Sequence, residues 1–134
     1  MTFEQILRLE DREFRQVRKF VIEEWRGDYP ISENYSIPKE EGDRRIREFS
    51  NFMDIIGAFY LKGYFDEDLL IGLYGSFIVK GFKKIEKPFI DYWREKMGTD
   101  RYQENFSKMA IKLEVKYREK FPLDHWLDRN NQTN

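Results

Sequence analysis

The chain has 134 residues, of which 37% are charged and 17% aromatic, with a net charge of -1 and no cysteine. This length suits one domain with a real core, and the lack of cysteine excludes disulfides and thiolate metal sites within these residues. The near-zero net charge excludes a strong overall attraction to nucleic acid or anionic lipid, so any such binding has to be local.

Apolar residues recur at three- and four-residue steps near the start of the chain. They are Phe3, Leu7, Phe14, Val17, Val21 and Trp25. The spacing predicts one amphipathic helix over residues 3–26, which Gly27 ends. The same spacing suits an intramolecular bundle or a two-chain coiled coil, and the compact length of the chain favours the bundle.

Residues 27–37 contain Gly, Pro, Ser and Asn without a sustained period, so they predict a connection. It is long for a link between two helices. Its apolar residues either tuck the loop against the bundle or close over a groove; they are Tyr29, Ile31, Tyr35 and Ile37.

A second helix is predicted to begin at Pro38, a residue that suits the first turn, and to run to about Leu61 before Gly63. Its apolar residues occupy more than one stripe, so we expect it to be the most buried helix. Asn51 and Asp54 lie among these apolar residues and need partners if buried, for which Arg94 or Arg45 are candidates. We expect a structural polar contact there, formed by Asn51, Asp54 and Arg94.

A third helix is predicted from an N-cap at Asp66 to Met97, with Gly98 as its stop. Pro88 lies inside this span and removes one backbone hydrogen bond, which predicts a kink or a break near residues 84–87. The glycines of this helix, which we expect to permit close helix packing, are Gly72, Gly75 and Gly81.

Thr99 or Asp100 is predicted to cap a fourth helix, which Phe121 and Pro122 end. Its apolar seam comprises Tyr102, Phe106, Met109, Leu113 and Tyr117, and a short apolar piece with Trp126 follows. The pattern predicts an all-α, four-helix bundle-like single domain over residues 1–128, with a polar tail over residues 129–134.

The sequence contains no complete catalytic or metal-binding signature. His125 is the only histidine, so the Glu-x-x-His pairs of a di-iron bundle are missing. Asp124 and Asp128 flank His125, an arrangement more typical of a structural or exposed histidine than of a catalytic one. We therefore expect no catalytic residue, no metal and no cofactor.

Basic residues follow the outer faces of helices three and four. On helix three they are Lys80, Lys83, Lys84, Lys87 and Arg94; on helix four they are Lys108, Lys112, Lys116 and Lys120. If the two ridges lie side by side, they form a surface for nucleic acid or for an acidic partner. Ordinary solvated helix faces are the alternative interpretation.

A small-ligand pocket is another possibility. Helices two and three carry aromatic and aliphatic residues that could line it, namely Phe52, Ile56, Tyr74 and Trp93.

Residues 44–113 resemble a widespread uncharacterised prokaryotic family of helical domains that often follow N-terminal transmembrane segments. The resemblance is carried by Arg45, Ile46, Phe49, Asn51, Phe52, Asp54, Gly63, Asp66, Glu67, Pro88, Arg94, Tyr102 and Phe106. It implies an all-α fold and supplies no catalytic residue.

The sequence favours a non-enzymatic helical module that binds a protein partner or forms a homo-oligomer. No window is apolar enough for membrane insertion, and we expect a cytoplasmic protein. Nucleic-acid binding through the lysines and a small-ligand pocket are the two alternatives.

Overall fold

The computed structural model describes residues 11–128. Within this range the chain is all-α and contains no strand, which confirms the predicted fold class. The buried side chains form one hydrophobic cluster, to which all four helices contribute. The predicted polar tail at residues 129–134 and the first part of the predicted first helix lie outside the described residues.

The described residues form four helices and a final short turn. Helix α1 comprises Arg12–Lys19 and a π-helical turn at Phe20–Glu24. Helix α2 is Lys39–Leu61, and α4 is Glu104–Lys120. Helix α3 covers residues 67–97 in five consecutive segments, which are Glu67–Leu70, a π-helical turn at Ile71–Gly75, Ser76–Ile85, a second π-helical turn at Glu86–Ile90, and Asp91–Met97. A 3-10 turn follows at Trp126–Asp128.

The prediction of one continuous first helix over residues 3–26 is wrong at both ends of the described part. Asp11 has an extended backbone and accepts a hydrogen bond from the Glu13 N–H, so it is the N-cap of α1. Trp25 also has an extended backbone, because its buried indole turns inward and donates to the Asp28 carbonyl at 2.9 Å. Side-chain hydrogen bonding at both residues therefore sets the ends of this helix.

The long loop between α1 and α2 folds back on the bundle. Asp28 organises it by accepting from the Ser32 N–H at 2.8 Å and from the Tyr35 hydroxyl. Ile31 is buried in the core, while Tyr35 and Ile37 are partly buried against it. The loop is thus held by its own polar and apolar side chains, as one of the two alternatives from the sequence proposed.

The predicted start of α2 and both predicted ends of α3 are confirmed. Pro38 directly precedes α2, the Asp66 carboxylate accepts from the Leu69 N–H at 3.1 Å, and Gly98 ends α3 in the left-handed conformation at φ 69°. Around Pro88 the helix continues in a π-helical turn at Glu86–Ile90. The predicted kink there stays a prediction.

The predicted start of α4 after Thr99 or Asp100 is wrong. The helix begins at Glu104, because Gln103 has a left-handed backbone at φ 57° and interrupts the helical run. Tyr102, placed by the sequence in the seam of this helix, lies before it and is half-buried.

Two glycines allow α2 to approach its neighbours closely. A Cβ at Gly57 would lie 2.5 Å from the Asn105 carbonyl oxygen, so α4 begins directly against the backbone of α2. On α3, a Cβ at Gly81 would collide with the Phe49 ring. Gly75 meets Tyr117 more loosely, whereas a Cβ at Gly72 would have no neighbour within 4 Å. The packing role predicted for the three glycines therefore holds for Gly81 and Gly75 but not for Gly72.

Candidate functional site

The structure turns two of the predicted basic-ridge residues inward. Lys80 is only 6% exposed, donates to the Trp126 carbonyl at 2.8 Å and lies 4.0 Å from the centre of the Trp126 ring. Lys84 donates to the Ile22 carbonyl at 2.9 Å, in the last turn of α1. Both amines therefore bind other parts of the same chain instead of a solvent-exposed ligand.

Burial changes the acid-base behaviour of Lys84. Its ammonium loses hydration between α1 and α3, and this lowers the pKa of Lys84 to about 8. A lysine of that pKa can act as a nucleophile or base in an open cleft. Here its amine is hydrogen-bonded to the backbone, which is the geometry of a structural contact.

The other lysines of the predicted ridges are divided among acidic partners. Lys83 lies 2.7 Å from Glu114 across α3 and α4, and Lys116 lies 2.9 Å from Glu67. Lys120 is 3.8 Å from Asp68. Lys112 contacts the Tyr60 ring, while Lys87 and Lys108 are exposed. Lys80 and Lys84 thus leave the predicted surface, and Lys83, Lys116 and Lys120 meet carboxylates of their own chain, whereas Lys87, Lys108 and Lys112 stay exposed.

The predicted structural polar contact forms, with different partners. Asn51 accepts from the Gln103 side chain at 2.7 Å, and Asp54 accepts from the Phe106 N–H at 2.9 Å. Arg94 donates to the Tyr102 carbonyl at 2.9 Å instead of meeting Asn51 or Asp54. All three side chains hold the turn that begins α4, and Asp54 supplies the cap that Gln103 lacks.

Trp93 lies far from the other residues predicted to line a small-ligand pocket. Phe52, Ile56 and Tyr74 are buried members of the core. Trp93 follows Tyr74 on α3 by 19 residues, which is about 28 Å along a helix. It lies in a separate aromatic cluster instead.

Tyr29 organises this aromatic cluster, which the sequence pattern does not reveal. Its hydroxyl donates to Asp43 at 2.6 Å and accepts from the Trp93 indole and the Arg47 guanidinium, each at 3.2 Å. Burial, together with the hydrogen bond to Asp43, raises the pKa of Tyr29 to about 12. A phenol that stays protonated fastens the loop, α2 and α3 together and is a poor general base.

An exposed apolar face occupies the first half of α3. Leu69 is 55% exposed and Leu73 is 61% exposed, and their spacing of four residues puts them one above the other on the helix. Leu73 also lines a groove of about 570 Å³ between α1 and α3, whose walls include Ile22, Phe77 and Trp126. We call these five residues the leucine face. The sequence gives one indication of this face, because Leu69 and Leu73 lie outside the row of apolar residues that is buried on the third helix.

The groove end of the leucine face is held in place from several sides. Besides the Lys80 contact, the Trp126 N–H donates to Asp124 at 2.8 Å, and Tyr117 hydrogen-bonds the same carboxylate. Arg118 pairs with Asp128 at 2.9 Å. This wall of the groove is therefore positioned before any partner arrives.

Opposite charges flank the leucine face. On the α1 side, the Arg18 guanidinium lies 4.7 Å from the centre of the Phe77 ring, and the exposed Arg15 and Lys19 are close to it in sequence. At the start of α3 stand Asp66 and Asp68, and the Asp68 side chain is 87% exposed. Glu23 lines the same groove beside Arg18, so the α1 side carries both signs of charge, while Asp68 faces Lys120 on α4.

A second exposed apolar pair lies on the outer face of α4. Ile111 is 61% exposed and Val115 is 57% exposed. They are as exposed as the leucines and also four residues apart, but they do not line the groove beside the leucine face. They provide a matched comparison for the leucine face.

Residues 11–128 were compared with the requirements of two kinds of protein, those that bind a metal ion and those that span a membrane. No group of three or more His, Asp and Glu side chains in that range is placed to hold a metal ion. None of the helices in the described range combines the length and apolarity needed to cross a bilayer.

Comparison with known proteins gives a family but no characterised relative. Searches of curated proteins and of solved structures found no significant match to this chain. A family model described as "Domain of unknown function (DUF4760)" matches residues 2–113. That range includes the described residues of α1, all of α2 and α3, and the first part of α4. The chain therefore belongs to the DUF4760 family.

Proposed function

We propose that this protein is a non-enzymatic helical module that acts by binding a protein surface through the leucine face. The observation that carries the proposal is the exposure of Leu69 and Leu73 beside a groove that is already shaped. Covering an exposed leucine side chain recovers about 1–2 kcal/mol. A chain of near-zero net charge that leaves such a face open gains free energy when a partner covers it.

The arrangement of the face also supports the proposal. A groove with fixed walls loses little conformational entropy when it is filled. The partly exposed Trp126 adds aromatic surface to the groove wall, whereas Phe77 is only 9% exposed beneath the Arg18 guanidinium. The charges around the groove add selectivity for a partner of complementary pattern.

The proposal extends to location and context. A cytoplasmic location, expected from the composition, is part of it, and microscopy of a fluorescent fusion tests that part. The resemblance implies that related domains often follow a membrane segment. A module docked beside a membrane would use the same leucine face, so the proposal does not depend on that context.

Aspartate substitutions at the exposed leucines test the function. The double variant Leu69→Asp, Leu73→Asp puts charges where a partner would bury apolar surface, and Ile111→Asp, Val115→Asp does the same on α4. We expect wild type and the α4 variant to associate with themselves or with a captured protein, as measured by light scattering and by affinity capture with mass spectrometry. The leucine variant is expected to lose that association by at least about tenfold in affinity.

Two results would contradict the proposal. One is a leucine variant that associates as strongly as wild type. The other is a wild-type protein that stays monomeric and captures nothing that the leucine variant does not. Circular dichroism melts of all three proteins establish that each is folded, since the substituted side chains are exposed.

A further inference from the structure

We infer that the groove between α1 and α3 is a binding site for a free amino acid with a large apolar side chain, whose carboxylate meets Arg18 and whose ammonium meets Glu23. The inference goes beyond the proposed function, because it concerns a small molecule inside the groove and does not involve Leu69. It follows from the two charges on the α1 wall, from the spacing between them and from the apolar surface of the other walls.

The α1 wall of the groove carries one cation and one anion. Arg18 and Glu23 both line it, and the apolar side chain of Ile22 lies between them in the sequence. Among the ion pairs within residues 11–128, none includes Arg18 or Glu23. Because the two groups are not paired with each other, a ligand that carries both charges can meet both of them at once.

The π-helical turn at Phe20–Glu24 explains why both charges line the same groove. In a regular α-helix, residues five apart point about 140° away from each other. A π-helical turn holds about one residue more, so Glu23 takes the place of a residue four after Arg18, about 40° from it. Turns of this kind are frequent at functional sites.

The spacing of the two charges suits an α-amino acid. Five residues of helix span about 7 Å along the axis. A carboxylate and an ammonium on the same carbon atom, with a hydrogen bond of about 2.8 Å at each end, span a similar length. The two ends of a peptide are farther apart, so either end of a chain would meet only one of the charges.

Arg18 is positioned before a ligand arrives. Its guanidinium lies 4.7 Å from the centre of the Phe77 ring, which is itself buried. This contact restricts a long side chain that would otherwise lose conformational entropy on binding. A guanidinium can hold a carboxylate through two parallel hydrogen bonds. The carboxylate of the ligand is therefore assigned to Arg18, which leaves its ammonium to Glu23.

The remaining walls fit an apolar side chain. Leu73 on the α3 wall is 61% exposed, and the partly exposed Trp126 adds an aromatic wall. Trp126 is held in place by its contacts with Lys80 and Asp124. The volume of about 570 Å³ lies within the range of small-ligand sites. Phenylalanine and leucine are therefore suitable probes.

Calorimetric titration of the wild-type protein with these two amino acids, and with analogues that lack one charge, tests the inference. N-acetylphenylalanine has no ammonium, and phenylalaninamide has no carboxylate. We expect phenylalanine or leucine to bind with a Kd of about 1 mM or lower. Each analogue should bind at least about tenfold more weakly than phenylalanine, because it leaves one charged group of the groove without a partner.

Removing one charge from the protein should remove only one of these preferences. In Glu23→Gln, N-acetylphenylalanine should bind as strongly as phenylalanine, and in Arg18→Gln phenylalaninamide should do so. Lys19→Gln and Glu24→Gln are the matched controls, because both residues are exposed on α1 and neither lines the groove. Each control should bind phenylalanine within about threefold of wild type, since exposed charges outside the groove are screened by salt.

Three results would overturn the inference. One is that neither amino acid binds to the wild type at concentrations up to about 10 mM. Another is an analogue that binds the wild type as strongly as phenylalanine, which would indicate a chain end as the ligand. The third is an equal loss of affinity in the control variants. The comparison of analogues uses only the wild type, so it decides the inference even if Arg18→Gln fails to fold.

The outcomes also separate the inference from the proposed function. If no amino acid binds but the leucine variant loses its association with a protein, the inference fails and the proposed function stands. If phenylalanine binds as expected but the leucine variant associates as strongly as wild type, the proposed function fails and the inference stands.

Discussion

At the scale of single residues, Lys84 shows how burial decides what a charged side chain does. The sequence places Lys84 on a basic ridge, but packing against the end of α1 brings its amine to the Ile22 carbonyl. Loss of hydration, the main cause, lowers the pKa of Lys84 to about 8 from a usual 10.5. The charged form is therefore a cost to the folded state at neutral pH.

This cost gives a prediction about pH. Between pH 8 and 10.5 the unfolded chain keeps a proton that folded Lys84 releases, so the free energy of unfolding should rise with pH through that window. Replacing Lys84 with Met keeps the apolar stem and removes the charge. We expect Lys84→Met to be more stable than wild type by about 1–2 kcal/mol at neutral pH and to lose most of the rise, as measured by urea unfolding from about pH 7 to 9.5.

Lys87→Met is the matched control, because Lys87 is exposed on the same helix. It should leave both the stability and its pH dependence within about 0.5 kcal/mol of wild type. Measurements stop below about pH 10, where the titration of tyrosines begins to remove stability. A Lys84→Met protein with an unchanged slope would show that its ammonium is not buried in the folded state.

At the scale of elements, the contact between α2 and α4 depends on Gly57. A Cβ there would lie 2.5 Å from the Asn105 carbonyl oxygen and 2.7 Å from its carbon. These are backbone atoms of the first turn of α4, so they cannot move aside without displacing the helix. Asp54, one turn earlier on α2, caps that same turn through the Phe106 N–H.

Gly57→Ala is therefore expected to destabilise the protein by about 2–3 kcal/mol in chemical unfolding. Gly72→Ala is the control, because a Cβ at Gly72 has open space and alanine favours a helix by about 0.5–1 kcal/mol over glycine. Equal gains in stability in the two variants would show that helix propensity, and not the close approach, governs Gly57.

The elements that were predictable are those whose ends depend on neighbouring residues in the sequence. Pro38, Asp66 and Gly98 act through their own backbone or side chain, and each stands where the sequence placed it. The start of α4 was not predictable, because Gln103 is held by Asn51, which is 52 residues away. The inward turn of Lys80 and Lys84 likewise depends on α1 and on Trp126, which periodicity along α3 does not include.

At the scale of the whole molecule, several lysines of the predicted ridges form ion pairs with nearby carboxylates, which weakens the positive potential around them. Lys83 pairs with Glu114, and Lys116 pairs with Glu67, so cations of the predicted ridges are neutralised within the chain. Affinity for nucleic acid depends on the number of phosphates that cations can neutralise. Pairing therefore weakens the contribution of these two lysines to any such binding.

We accordingly expect no saturable binding of short RNA or DNA at physiological salt, as measured by fluorescence anisotropy. The matched variant Glu67→Gln, Glu114→Gln releases Lys116 and Lys83 from their acidic partners and should bind more strongly than wild type at low salt. Tight binding by the wild type with a steep salt dependence would contradict this expectation and support the lysine surfaces instead.

The π-helical turns have a consequence for how related chains can differ in length. Each such turn holds about one residue more than an α-helical turn, so losing one residue there converts it into regular helix without disturbing the helix ends. Single-residue gaps are thus expected at 20–24, 71–75 and 86–90 when family members are aligned. Because the wide turn takes up the extra residue, a member one residue shorter within 71–75 would keep the preceding part of α3 in nearly the same orientation. The position of Leu69 would stay on the same face of α3, so domains of one ancestry can differ in length there and still present the same apolar surface.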